Sequence, residues 1–492
     1  MPPGATQAIL KSRSIQEEHL VSTASKVPGH VFVIHGKVQD VTCDAALIPT
    51  DTRFSVRAQW WQGVIGLDAA PRRPANWKDS GCAQDGTNGR FWYVDVTNDG
   101  ETLGVAALLP RLGDVIGSVV DKLPKVPVRG RVRHLVTMPL LGSGGGGLGH
   151  DEAVQQIRAL TELAERFEVD LAIVVPNRAV FEALQRQRAN SVTPRSINAE
   201  AERLGQLVRQ GALSLMIGAG VSMGAGLPGW TELLDQLKDS LVSDAEIVAS
   251  KEFSGLPPLD QAELLQRIRE RGIADGVIAA VTRKAGGKLI RPALGHFLLA
   301  GLRCRQVATT NYDLLYEAAV TSQGDAQRIH SLPYERPDPG NPWILKLHGD
   351  VKHNDLVLSR SSFVEYDGSR SATGAVFQAM LMTSHVLFVG LSFTDDNVLR
   401  LTHEVTSAPV EGDTVLGTTL SLGKSAVRKV LWNGILNWVE IEGPSQCPDR
   451  PVDWAKDDED IADADARWKM GWQVRELEIF LDTVALWSVP NS

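Results

Sequence analysis

A chain of 492 residues is too long for one compact core and calls for two to three domains. Its 43% hydrophobic and 22% charged residues match an ordinary globular protein and exclude wholesale disorder. A formal net charge of -9 argues against a generic nucleic-acid binder, because neutralising phosphates needs clustered Lys and Arg.

Residues 1 to about 27 are polar and mixed, without the basic stretch and apolar run of a secretory leader. The first strand is expected at His30–His35, with a second at Ala45–Ile48; the Gly-, Asn- and Trp-rich stretch from Trp60 to Gly100 reads as loops and short strands. Val132–Pro139 reads as a buried strand running into the glycine loop Gly142–Gly149. A helix follows, with Asp151 as its cap and Ile157, Leu160, Leu163 and Ala164 on one stripe. Leu171–Val175 is another buried strand, so strand, glycine loop, helix and strand give the parallel α/β pattern. Polar Gln185–Ser196, with Pro194, is the expected linker. A helix over about Asn198–Gln210 then ends at Gly211, and Leu213–Ile217 is a short strand. From Trp230 to about Leu302 the pattern is mostly helical. Strands are expected again at Gln306–Thr309, Trp343–Leu347, Asp355–Leu358 and His385–Val389, and a packed C-terminal helix over Val474–Trp487. No apolar run is long enough to cross a bilayer. Cys43, Cys82, Cys304 and Cys447 form no CxxC pair, which leaves neither a disulfide framework nor a zinc ribbon and fits a cytoplasmic protein with reduced thiols.

The chemistry concentrates in four segments. Leu213–Trp230 takes a strand into Gly218-Ala-Gly-Val-Ser-Met-Gly224, a loop that fits either a phosphate cradle or a plain strand-to-helix turn. Its spacing is GxGxxxG, not the usual dinucleotide fingerprint. Ala308–Glu317 sets Asn311 and Asp313 just past a strand, Trp343–Asp350 ends a strand at His348, and Val386–Asn397 runs from a strand into Gly390, Ser392 and carboxylates. If these strands are parallel, all four clusters share one sheet edge, where α/β proteins hold ligands. Thr394, Asp395 and Asp396 equally suit an N-cap and an acidic first turn.

GAGVSMGAGLPGW, TTNYDLLYE, KLHGD and GLSFTDDN, in that order between Gly218 and Asn397, resemble the sirtuin-like family, and within it the NAD-hydrolase branch of bacterial phage-defence proteins. The resemblance implies an α/β fold: a Rossmann-type domain over 198–492 with a helical lobe at about 231–302. It implies Asn311 and His348 as the catalytic pair and Asp313 as the group orienting the nicotinamide-ribose end. Gly218, Ala219, Gly220 and Ser222 would hold phosphate, with Thr310, Gly390, Ser392 and Asp396 lining the rest of the site. NAD is then the substrate, and no metal is expected. An amide such as Asn311 both donates and accepts hydrogen bonds, and an imidazole such as His348 takes a proton near neutral pH. The chain departs from protein-deacetylating sirtuins in lacking the zinc cysteines, and Gly229-Trp230 follows Pro228 where those enzymes continue into Asp-Phe-Arg. Both departures favour water over an acyl-lysine acceptor.

Residues 28–188, through HVFVIHGKVQDVTCDAALIPTD, the loop before His150 and LAIVVPN, resemble a macrodomain, which implies a three-layer α/β domain. The match departs at Lys37, where an adenine-reading carboxylate is missing, and at Pro49-Thr50-Asp51, where the ribose loop would be. The combined resemblance implies a regulated antiphage effector that depletes NAD, without membrane or nucleic-acid contact. It also implies an ADP-ribose-type or other nucleotide signal at the N-terminal domain, and a homo-oligomer or a complex with another defence protein. A protein ADP-ribosyltransferase or deacylase, and a non-enzymatic NAD or ADP-ribose sensor, are the competing expectations.

Overall fold

The computed structural model describes residues 27–98, 101–102, 105–141, 150–191, 198–239, 247, 249–268, 273–282, 290–324, 328–407, 415–455 and 460–489. The glycine loop Gly142–Gly149 and the side chain of Asp151 lie outside them.

The first half builds a six-stranded sheet from β1 (Val31–His35), β2 (Ala45–Thr50), β3 (Cys82–Gln84), β4 (Phe91–Asp95), β7 (Leu135–Met138) and β8 (Asp170–Val175). A small hairpin, β5 (Thr97–Asn98) with β6 (Glu101–Thr102), stands apart. The sheet order is β1-β8-β7-β2-β4-β3, parallel except for the antiparallel edge pair β3–β4. β1 and β8 are buried along their whole length, so their sequences read as unbroken apolar runs. Alternation along β1 sends Val31 and Val33 to one face and Phe32 and Ile34 to the other. The first face is covered by α1 (Val105–Val120) and α2 (His150–Phe167), through Leu108, Leu112, Val115 and Leu160. The other face shares a core with residues far along the chain, among them Phe297, Leu298, Phe480 and Val484.

The second half builds a seven-stranded, all-parallel sheet in the order β11-β12-β10-β9-β15-β16-β17. Its strands are β9 (Leu213–Ile217), β10 (Gln306–Thr309), β11 (His330–Leu332), β12 (Trp343–Lys346), β15 (His385–Val389), β16 (Gly417–Leu422) and β17 (Leu436–Ile441). Between β12 and β15 a two-residue hairpin forms from β13 (Gly349–Asp350) and β14 (Asp355–Leu356). The strand expected at Asp355–Leu358 is therefore a short hairpin arm outside the main sheet.

Helix α3 (Arg178–Ser191) covers the first part, Gln185–Ser191, of the stretch expected to be a linker. Leu184 and Gln185 are buried, and the Arg188 guanidinium pairs with Asp482 at 2.5 Å, so polar residues there serve a helix that packs. Residues 192–197 lie outside the described ones. Helix α4 (Ala199–Arg209) begins where Asn198 accepts hydrogen bonds from the N–H groups of Glu200 and Ala201, and Gly211, at φ +68°, turns the chain after it. After α5 (Ala219–Met223), the helical lobe comprises α6 (Trp230–Asp239), α7 (Pro258–Ile268) and α8 (Ala274–Thr282). Leu233, Leu234, Phe253, Leu265 and Val277 form its core, closed against the main sheet by Tyr312 and Leu315.

Helices α9 (Leu294–Gly301), α10 (Leu315–Ser322), α11 (Tyr366–Thr383) and α12 (Asp396–Thr406) complete the flanks of the parallel sheet. The last helix, α13 (Ile461–Trp487), is longer than its apolar spacing over Val474–Trp487 suggests, with Asp460 as its N-cap. It packs on α4, α9 and α3, and so spans both sheets. None of the helices among the described residues is long and apolar enough to cross a membrane.

Candidate active site

The sheet order brings the four segments together. Gly218 follows β9, Asn311 follows β10, His348 follows β12 and Gly390 follows β15. These strands lie side by side as β12-β10-β9-β15, all parallel, so the four loops leave one edge. The order also reverses at β9, with β10 on one side and β15 on the other. The crevice at such a switch point is where open α/β sheets bind ligands.

The glycines are required because two loops meet backbone to backbone. The Gly218 N–H donates to the Val389 carbonyl (2.9 Å) and the Gly220 N–H to the Gly390 carbonyl (3.0 Å). A Cβ on Gly218 would lie 2.4 Å from the Gly390 oxygen, and one on Gly390, at φ +74°, 2.7 Å from the Val221 nitrogen. Ala219 and Gly220 are exposed at the top of this junction, whereas Gly218 is buried.

Beneath them lies a closed polar cluster. The Asn311 amide nitrogen donates to the Gly218 carbonyl and to the Ser222 hydroxyl, each at 3.1 Å. The Ser222 hydroxyl donates to Asp313 Oδ2 at 2.8 Å and lies 3.3 Å from His296 Nε2. Asp313 Oδ1 accepts from the Leu315 N–H at 2.9 Å. Buried Lys346 reaches the Asp313 carbonyl (2.7 Å) and Glu317 (3.0 Å), and burial, opposed by Lys346, raises the Glu317 pKa. The Ser222 hydroxyl is thus buried and spent on protein partners. The Asn311 carbonyl oxygen is buried without a partner among the described residues, an orphaned acceptor where unpaired polar groups are costly.

His348, just past β12, is buried. Its Nε2 lies 3.3 Å from Asp395 Oδ2, yet makes no well-formed hydrogen bond among the described residues. Burial pushes its pKa below the ordinary imidazole value; the Asp395 carboxylate pulls it up and Arg370 adds to the lowering. Phe363 meets the ring edge-on, with centroids 5.1 Å apart.

Asn311, Asp313, Ser222 and Gly218 form one hydrogen-bonded cluster, while His348 stands beside Asp395. Thr310 is half-buried. Ser392 and Asp396 are exposed at the start of α12; the Ser392 hydroxyl pairs with Thr394 at 2.7 Å. Asp395 caps α12 through the Val398 N–H (2.9 Å) and also faces His348, whereas the sequence places Asp396 along the dinucleotide site and leaves Asp395 to the helix cap. His296 and Lys346 were missed as well. Lys346 stands two residues before His348, but His296 is a lone histidine in an apolar helix and carries no signal of its own. Among the described residues no cluster of His, Cys, Asp and Glu is arranged to hold a metal ion.

Residues 305–413 match the family of SIR2-like domains. The chain is 27% identical over 210 residues to the NAD(+) hydrolase ThsA of Enterococcus faecium, covering 42% of each protein. It is 27% identical over 204 residues to the NAD(+) hydrolase ThsA of Bacillus cereus, covering 40% of each. Against the defense-associated sirtuin 2 of Bacillus subtilis it is 24% identical over 203 residues, 39% of this chain and 19% of that protein. The likeness thus spans less than half of each relative's length. The C-terminal region of this chain carries a SIR2-like domain.

Proposed function

We propose that the unit at about 198–492 cleaves the nicotinamide–ribose bond of NAD with water, releasing nicotinamide and ADP-ribose. The observation that carries the reading is the pair Asn311 and His348, set on adjacent strand ends beside the switch point, each with a buried polar atom lacking a hydrogen-bond partner among the described residues. The SIR2-like match and the names of the similar NAD(+) hydrolases support it.

In this reading the bonding pair leaves with nicotinamide, whose ring nitrogen loses its positive charge, while positive charge builds on the ribose carbon. Water bonds that carbon and gives up a proton. The Asn311 carbonyl oxygen, fixed by the two hydrogen bonds of its amide nitrogen, accepts from the water or a ribose hydroxyl. His348, kept neutral by burial, takes the proton. Asp313 and the Ser222 hydroxyl act within the chain to hold Asn311, a role that replaces phosphate contact for Ser222. Ala219 and Gly220, with Gly390, Thr310, Ser392 and Asp396 around the rim, face the remainder of the dinucleotide.

The unit at about 28–188 is read as macrodomain-like, on its strand order and the helices α1 and α2 over one face, and as the place where a nucleotide signal is received. We read the whole as a cytoplasmic, regulated antiphage effector that acts as an oligomer or with another defence protein.

NAD labelled in its adenosine half separates the outcomes. Free labelled ADP-ribose is expected; label fixed on protein would point to transfer, and tight binding without turnover to a sensor.

A further inference from the structure

We infer that His296, on α9 and outside every motif of the site, is a positioning residue for Asn311. The inference rests on the NAD-cleaving reading above.

The hydrogen bonds around His296 leave one arrangement of protons. The Ala293 N–H can only donate, and it points at His296 Nδ1 at 3.1 Å, so Nδ1 is the bare nitrogen of the ring. Burial lowers the His296 pKa to about 4, which keeps the ring neutral and its one proton on Nε2. Nε2 then donates to the Ser222 hydroxyl oxygen, which also accepts from the Asn311 amide nitrogen. With both acceptor positions of that oxygen filled, the hydroxyl proton goes to Asp313 Oδ2.

Asn311 is fixed at the end of this series. The Gly218 carbonyl can only accept, so the nitrogen of the Asn311 amide must face it, and the Ser222 oxygen takes a second N–H. The amide has no freedom to flip, and its carbonyl oxygen stays turned away from the cluster with no partner among the described residues. Without the Nε2 donor, the Ser222 hydroxyl gains a free lone pair and is no longer held from the α9 side, so the contact it offers the Asn311 amide is loosened. His296 touches neither Asn311 nor a reacting atom in the described hydrogen bonds, and acts through Ser222.

Two substitutions divide the two ends of the imidazole. His296→Asn keeps an acceptor near the Nδ1 position for the Ala293 N–H and removes the Nε2 donor. His296→Gln keeps a donor near the Nε2 position and removes the Nδ1 acceptor. On the full chain, with nicotinamide release from NAD as the readout, His296→Asn is expected to lower kcat on the order of 10²-fold, the scale of a misplaced catalytic group, with KM little changed. His296→Gln is expected to retain most of kcat, although it loses the contact at the start of α9. Ser222→Ala, which only deletes a hydroxyl, is expected to match His296→Asn, and the double variant to be no slower than either.

A purely structural His296 gives another pattern: both variants lower the melting temperature and leave kcat per folded molecule unchanged, or His296→Gln is the worse. Either result, or a fully active Ser222→Ala, overturns the positioning role while NAD cleavage by the unaltered chain stands. An unaltered chain that releases no nicotinamide overturns the reading of the site, and this inference with it.

Discussion

In the proposed reaction, His348 and Asp395 set the pH dependence. Burial lowers the imidazole pKa, Arg370 lowers it further, and the Asp395 carboxylate, 3.3 Å from Nε2, raises it. A base must be neutral to act, so the acid limb of the kcat profile should lie below the ordinary imidazole range of about 6.5. Asp395→Asn removes the raising charge, and the limb should move to still lower pH; a move upward in the pH–rate profile would contradict this electrostatic account. Asn311, Asp313 and His348 were legible in the sequence because their residue types recur just past apolar runs. Asp395 was not distinguishable from Asp396. Which of two adjacent aspartates caps a helix depends on backbone geometry, here the extended φ -82° and ψ 112° of Asp395, and that geometry decides which carboxylate faces His348. His296 was illegible because its site partner, Ser222, lies on another element, 74 residues earlier.

At the level of elements, the glycine junction and α9 determine how accurately the site is held. Gly218→Ala would bring a methyl 2.4 Å from the Gly390 carbonyl, a contact that backbone must relieve. It should reduce kcat on the order of 10²-fold, because the shift carries the Gly218 carbonyl that holds Asn311. Steady-state kinetics checks this, and near-normal turnover would show that the junction tolerates movement. Helix α9 has two working faces. His296 meets Ser222, while Phe297 lies where a Cβ on Gly36, just after β1, would come within 2.7 Å of its ring. The N-terminal sheet and the candidate site therefore bear on the same helix. The strands β9, β10, β12 and β15 were readable as short apolar runs. β16 and β17 were not, since GTTLSL and LNWVEI mix polar residues into strands near the sheet edge. The first part of the expected linker, through Ser191, is helix instead, because the partner of Arg188 is Asp482, a separation of 294.

Across the whole molecule, α13 packs on β16 and β17 of the second sheet and is tied to the first sheet and its flanking helix by buried ion pairs. Arg475 pairs with Asp170 at 2.8 Å, Arg131 with Glu478 at 2.9 Å and with Asp170 at 3.3 Å, and Arg188 with Asp482. Asp170 is fully buried, so removing a partner strands its charge. Arg475→Met should cost about 3 kcal/mol of stability, measured by urea unfolding; a change near zero would show that Arg131 suffices. Acid should weaken the fold before most carboxylates titrate. Burial, with Arg178 nearby, lowers His35 to about 4, and burial lowers His296 to about 4. The unfolded chain takes up these protons from about pH 6.5 while the folded one does not. Stability therefore falls as pH drops from about 6.5 to about 4, and a melting temperature flat across that window would contradict the assignment. The α/β class was legible from apolar runs and glycine loops, but α13 bridging both sheets was not, because its charged partners sit on distant strands and helices. The central claim is tested most directly by incubating the full chain with NAD and measuring nicotinamide release, beside Asn311→Ala and His348→Ala variants that remain folded. The account predicts steady release by the unaltered chain and a loss on the order of 10²-fold or more in each variant. Release undiminished in either variant, or absent from the unaltered chain, would contradict it.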